Sequence, residues 1–281
     1  MNWNGEGLDL DAYLARIGFT GDLKPDRETL RELHRAHVAS IPFENLEIML
    51  GRPVDLDLAA LQAKLVRQRR GGYCFEQNLL FAAVLERIGF SVKGLGARVR
   101  VGAATSIRPV THMLTQVTVA DGETFLCDVG FGNQGLREPL PLRDGVEMRQ
   151  GQWTFGLVSE GEGVPEGEGV RVLRSLRPGG WEELYGFGPQ ECHPIDYVVM
   201  NHYTSTHPRS PFTHRPVVKR AADDALRSLV GRRFSIERPD GTRDEREVKE
   251  GELIALLADE FGIELSDEDA ARLIRVHASG A

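Results

Sequence analysis

Cysteine is scarce in this chain, with only Cys74, Cys127 and Cys192 among 281 residues. So small and odd a number excludes a disulfide framework and points to a reducing compartment. Long apolar runs are missing as well. The longest, Leu79 to Leu85, falls far short of the roughly 18 residues that a membrane helix needs. Met1 to Gly7 lack the basic-then-apolar order of a secretory signal, so a cytoplasmic location is expected. Positive charge is in deficit: 34 Lys and Arg face 42 Asp and Glu, a net charge of −8, which argues against bulk nucleic-acid binding. Metal-site spacings are absent too. Cys74, His112, Cys127 and Cys192-His193 offer ligand types without a C-x-x-C or H-x-x-x-H arrangement, and no metal is expected. There is no P-loop, no H-E-x-x-H and no G-x-S-x-G, leaving cysteine chemistry or none.

What is present is globular: 41% hydrophobic and 27% charged, neither disordered nor fibrous. Residues 1–90 read as a helical bundle. Helices are predicted from Leu8 to the Gly18 stop, after Pro25 and an Asp26 start, from an Asp57 cap to the basic run Arg67 to Arg70, and from Gly72 to the Gly89 stop. Beyond Gly89 the period drops to two. Ser91 to Val101, His112 to Ala120, Glu123 to Gly130 and Gln152 to Val158 read as strands of a small barrel or sandwich. The Gly- and Glu-rich stretch Ser159 to Gly169 reads as an exposed loop. Gly231 to Val248 forms a hairpin around Pro239-Asp240-Gly241, and two helices follow, the second announced by Ser266 and Asp269.

The most informative stretch is Arg70-Gly71-Gly72-Tyr73-Cys74-Phe75-Glu76-Gln77-Asn78. It puts a cysteine where two glycines hand over to a helix, so first-turn N–H groups and the helix dipole favour a thiolate. The glycines would also admit a substrate close to the sulfur. The other reading is a buried thiol acting as a small apolar residue, and a nearby base decides between them. Of eight histidines, His112 alone begins an apolar alternating strand, which would hold it rigidly. His34 and His37 lie on a charged helix, where a surface or core-edge place is expected, and His202, His207 and His214 lie in a turn-rich segment.

An orienting acid is available in the hairpin partner, Asp128. A two-residue Asp121-Gly122 loop, however, sets His112 opposite Phe131 and Asp128 opposite Thr115. Contact then needs strong twist, a longer loop or a bulge. Gly130-Phe131-Gly132-Asn133-Gln134-Gly135 matches G-x-G-x-x-G formally, but Pro139 and Pro141 leave no room for the following helix, which rejects a dinucleotide fold.

Ile41-Pro42-Phe43-Glu44-Asn45-Leu46, the Arg70 to Asn78 stretch, His112-Met113-Leu114 and Asp128-Val129-Gly130-Phe131-Gly132 together resemble the arylamine N-acetyltransferases in order and spacing. Asn201 to Phe212 and the 231–248 hairpin extend the likeness over nearly the whole chain. The resemblance implies an α+β fold: a bundle (1–90) carrying the nucleophile, a β-barrel (91–200) carrying His and Asp, and a helical segment with an α/β lid (201–281). It implies a Cys74–His112–Asp128 triad and ping-pong transfer of acetyl from acetyl-CoA, through a Cys74 thioester, to an arylamine or arylhydrazine, a reaction of xenobiotic metabolism. Phe43, Phe131 and Tyr203 resemble acceptor-pocket positions, Gly130 and Gly132 are candidates for cofactor contact, and Glu44 with Arg70 reads as a structural ion pair. Arg108 to Thr111 departs from the vertebrate enzymes and the vertebrate insertion is missing, so the chain resembles the bacterial type. Competing expectations are an amide synthase acting on a polyketide, a cysteine hydrolase of the transglutaminase or papain type, and a binding module with an inert cysteine. CoA is polyanionic, so a local basic patch must hide within the acidic total.

Overall fold

The computed structural model describes residues 2–102, 107–161 and 169–279. The expected loop at 159–169 lies mostly outside them. The helical spacing of the first ninety residues becomes α1 (Leu10–Ile17), α2 (Arg27–Ser40), α3 (Leu46–Met49), α4 (Leu58–Leu61) and α5 (Cys74–Ile88). Asp26 caps α2 by accepting the Thr29 N–H at 2.9 Å, and Gly18 and Gly89 end α1 and α5 in the left-handed conformation. Asp57 precedes α4 but makes no side-chain cap, and α4 runs on into a wider π-type turn, Gln62–Arg67. From Cys74 to Leu85 every residue of α5 is buried. This is the central helix, around which the bundle and the first sheet are laid.

That sheet has eight strands: β2 (Ser91–Val99), β3 (His112–Thr118), β4 (Thr124–Cys127), β5 (Leu140–Pro141), β6 (Glu147–Gln150), β7 (Trp153–Glu160), β8 (Val170–Arg177) and β9 (Gly180–Glu191). Their spatial order is β5-β4-β3-β2-β9-β8-β7-β6, a nearly closed, barrel-like sheet. Gln150, at the end of β6, ties that outer strand to the segment leading into the other, β5: its Oε1 accepts the Arg137 and Glu138 N–H groups at 2.8 and 3.0 Å, and its Nε2 donates to the Glu138 carbonyl. The interior is filled by Leu95, Leu114, Leu126, Trp153, Phe155, Leu173 and Tyr185 among others.

After β9, α6 (Pro194–Thr206) runs across the boundary expected at residue 200. The C-terminal part contributes β10 (Val217–Ala221), β11 (Leu226–Val230), β12 (Arg233–Glu237) and β13 (Arg243–Glu247), followed by α7 (Leu253–Phe261) and α8 (Asp267–Ser279). Ser266 Oγ accepts the Asp269 N–H at 3.2 Å, as the start signal for α8 requires. The second sheet has the order β1-β10-β11-β12-β13, where β1 (Phe43–Glu44) comes from the bundle segment. Phe43 faces Lys219 across that pairing. The N-terminal segment thus supplies the strand that joins the C-terminal sheet to the bundle. No helix among the described residues is long and apolar enough to cross a membrane.

Candidate active site

Cys74 is the first residue of α5, buried at 5% exposure, with its Sγ 3.8 Å from the Thr111 carbonyl. The turn that delivers it is fixed by charge. Glu76 accepts the Tyr73 N–H at 3.0 Å and Lys64 Nζ at 2.6 Å. Glu44 accepts Arg70 Nε and Nη2 at 3.0 and 2.8 Å, the ion pair expected beside the nucleophile. The glycines serve differently from expectation. A Cβ at Gly71 would stand 2.1 Å from the Pro42 carbonyl oxygen, and one at Gly72 would lie 2.8 Å from Glu76 Cβ. They make room for β1 and for the carboxylate of the turn, rather than for a substrate.

His112 opens β3 and Asp128 follows β4 directly, both buried, with His112 Nε2 2.7 Å from Asp128 Oδ2. The pairing difficulty disappears because the loop has three residues, not two. Val119 N–H bonds to the Glu123 carbonyl, leaving Ala120, Asp121 and a left-handed Gly122 in the turn. Thr115 therefore faces Cys127. Carried past its last pair, this register sets Gly130 opposite His112 and brings Asp128 to the histidine's own face. A one-residue change in register exchanges the faces of a strand.

Burial disfavours a charged His112, but the Asp128 carboxylate outweighs it, and Cys74 acts in the same direction, so the imidazole is raised to about 10. Burial likewise raises Asp128. The charge and hydrogen bond of His112, with Asn78 Nδ2 and the Gly130 N–H on the other oxygen, bring it below the usual range. The site thus favours imidazolium beside carboxylate. Burial pushes the other two thiols, Cys127 and Cys192, upward.

Phe131 packs edge-on to His112 with ring centroids 5.2 Å apart, and Phe43 lies 5.8 Å from Phe212. Tyr203 stacks instead on His207 at 4.5 Å. Phe212 is the aromatic residue the sequence reading passed over, although the stretch ending on it carried part of the family resemblance. Gly130 and Gly132 are spaces for the protein itself. A Cβ at Gly130 would be 2.8 Å from Cys74 Cα, and Gly132, at φ 65°, lies against the Phe43 ring. Lys219 joins Phe43, Phe131 and Gly132 around a small cavity and donates to Asn133 Oδ1. Burial, then Arg243 and Arg215, lower Lys219 to about 8. Lys219 thus sets a basic side chain against the glycine loop, in a chain whose net charge is negative. A cavity of about 1000 Å³ lies elsewhere, between α2, β10 and α7, and touches none of Cys74, His112 and Asp128.

Comparison with known proteins bears on the family and the fold. A family described as N-acetyltransferase matches residues 26–270. The arylamine N-acetyltransferase of Mycolicibacterium smegmatis is 40% identical over 266 residues, covering 92% of this chain and 94% of that protein. The solved arylamine N-acetyltransferase of Nocardia farcinica superposes with a TM-score of 0.91 at 48% identity, over 97% of this chain and 95% of that one. The Mycobacterium marinum arylamine N-acetyltransferase in complex with CoA superposes at 0.87 and 33% identity, over 95% and 99%. The chain belongs to the arylamine N-acetyltransferase family, a family of acyltransferases.

Proposed function

We propose that this protein transfers acetyl from acetyl-CoA to the amino group of an arylamine or arylhydrazine through a thioester on Cys74, with His112 and Asp128 completing the triad. The observation that carries the reading is the buried 2.7 Å bond between His112 and Asp128, beside a cysteine at a helix start. The Cys74 sulfur, as thiolate, attacks the acetyl carbonyl. The CoA sulfur leaves and takes the proton held by the His112 imidazolium. The amine then attacks the thioester carbon, its proton passes to His112, and the Cys74 thiolate is released. Asp128 orients the ring and stabilises its charged form. The Cys74 main-chain N–H at the helix start is the oxyanion donor we assign.

Phe43 and Phe131 form the walls against which an aromatic acceptor stacks, with Phe212 in the place first given to Tyr203. Arg215, Lys219 and Arg243 are the cations suited to the phosphates of CoA. Gly130 and Gly132 act by keeping the loop thin rather than by binding the cofactor. A bundle, a barrel and a C-terminal lid (1–90, 91–200 and 201–281) share one site in this scheme, and three unpaired cysteines suit a reducing cytoplasm. The test is incubation with acetyl-CoA alone. One acetyl group on the peptide containing Cys74 is expected, and Cys74→Ala should abolish both adduct and turnover while unfolding at the same temperature. Active enzyme without that adduct would sink the covalent scheme.

A further inference from the structure

Asp128 is held from three directions, and one of them does not involve its carboxylate. Oδ2 accepts from His112, while Oδ1 accepts Asn78 Nδ2 at 3.1 Å and the Gly130 N–H at 3.0 Å. The Asp128 main-chain N–H points the other way and donates to Nε2 of His34 at 3.2 Å, across 94 positions of sequence. The second ring nitrogen of His34, Nδ1, lies 3.2 Å from the Arg137 carbonyl. These two partners fix the tautomer. An amide can only donate and a carbonyl can only accept, so Nε2 carries the lone pair and Nδ1 the proton.

His34 is fully buried, with its ring edge-on to Phe81 at 5.8 Å. Burial, helped by the Arg137 charge, lowers it to about 4, against the upward pull of the Asp128 charge and of the two main-chain hydrogen bonds; its helix neighbour His37 is also neutral, lowered to about 3. His34 is therefore neutral at working pH. Its place in the chain explains why it is needed. The β3–β4 ladder ends at Cys127, so the next residue, Asp128, has no strand partner for its N–H. A buried N–H left unpaired is destabilising, and where a ladder stops, a side chain must locate the main chain instead.

We propose that His34 is a positioning residue of the triad: its neutral imidazole bridges the Asp128 N–H and the Arg137 carbonyl, and so sets where the Asp128 carboxylate stands relative to His112. No proton passes through it. The role rests on the reading of Cys74, His112 and Asp128 as the reacting triad. It is distinct from filling the core, because a hydrocarbon of similar size would keep the packing and release the main chain.

The test compares the wild-type protein with His34→Leu and His34→Gln. Three readouts are taken: iodoacetamide alkylation of Cys74 against pH, kcat and KM for acetyl transfer, and nitrogen-15 histidine spectra of the wild type. The leucine variant should lose about 100-fold in kcat, the scale of a misplaced catalytic group, with KM for the acceptor nearly unchanged and the alkylation midpoint moved to higher pH. Glutamine, which can accept and donate in the same space, should recover most of both. The wild-type spectrum should show His34 protonated at Nδ1 throughout neutral pH. An Nε2–H tautomer, or a leucine variant that unfolds earlier yet keeps the alkylation profile and kcat, overturns the proposal. If the leucine protein does not fold, His34→Asn replaces it, being polar but too short to span both partners. A wild-type protein that is never acetylated at Cys74 overturns the reading of the reaction. An acetylated wild type with an indifferent variant overturns the role of His34 alone.

Discussion

The molecule carries two charge networks of similar chemistry in opposite surroundings. Beneath the start of α5, Glu44, Glu47, Lys64, Arg70 and Glu76 form linked pairs at 2.6 to 3.8 Å, with Glu44 fully buried. On the β12–β13 hairpin, Arg233, Arg243 and Glu245 pair at 2.8 to 3.1 Å while facing solvent. Distances alone would rank the two alike. The difference is what else each carboxylate holds. Glu44 also accepts the Leu46 N–H at 2.6 Å and Glu76 the Tyr73 N–H, so the buried network fixes the main chain at the start of α3 and at the residue just before the nucleophile. The hairpin pairs link side chains to side chains. Burial raises Glu44, but Arg70 and Lys64 hold it below the usual carboxylate range, so its charge persists only because its partners are present.

Removing one member of the buried network is therefore the strongest way to break the comparison. Glu44→Ala leaves Arg70 and Lys64 short of a carboxylate and the Leu46 N–H without its acceptor. A loss of about 3–5 kcal/mol is expected, the usual cost of an uncompensated buried charge. Urea unfolding followed by fluorescence measures it, and a loss below about 1 kcal/mol would mean that water reaches the cluster.

The buried half extends to two histidines, which sharpen the comparison through pH. Burial lowers His34 to about 4 and His37 to about 3, so both stay neutral in the folded state where an unfolded histidine, at about 6.5, takes up a proton. Their contribution is fully present above pH 6.5 and is lost as pH falls from there toward 4. The slope is about 1.4 kcal/mol per pH unit for each. His112, raised to about 10, has the opposite sign: its contribution is complete below about 6.5 and is lost as pH rises toward 10. Between pH 5 and 6.5 the first effect acts without the second. The urea midpoint should fall steeply across that window, and His37→Gln should reduce the slope by about half. A flat midpoint there would show hydrated histidines.

These histidines also mark how far the sequence could be read. Local signals were legible: the Asp26 cap, the Gly18 and Gly89 stops, the Gly241 turn and Ser266 all act as their chemistry requires. So were the placement of Cys74 at a helix start and the Glu44–Arg70 pair, which lie close to motifs. What escaped depends on distant partners. His34 and His37 sit among charged neighbours on α2 and read as surface or core-edge, yet they are fully buried, covered by Tyr13, Phe81 and the 128–137 segment. β1 is two residues long and exists because β10 arrives from about 170 positions away. β8 carries arginines, and β9 glycines and glutamates, that blur their alternation. The His112–Asp128 contact turned on one loop residue, which no strand pattern reveals.

The smallest effect is expected where the networks look most alike on paper. Arg233 reaches Glu245 at 3.1 Å, but its side chain is 68% exposed and that of Glu245 34%. In water the attraction is weak, and holding two long side chains in one geometry costs rotamer freedom. Arg233→Gln keeps length and polarity while removing the charge, so unfolding free energy should change by less than about 0.5 kcal/mol. Raising salt from about 0.1 to 1 M, which shortens the screening length from about 10 to 3 Å, should erase even that. The same salt step should leave the penalty of Glu44→Ala nearly intact, because counterions do not enter the core. If the two variants responded equally to salt, burial would not be what separates the networks, and the fixing of the nucleophile by Glu44 and Glu76 would need another cause.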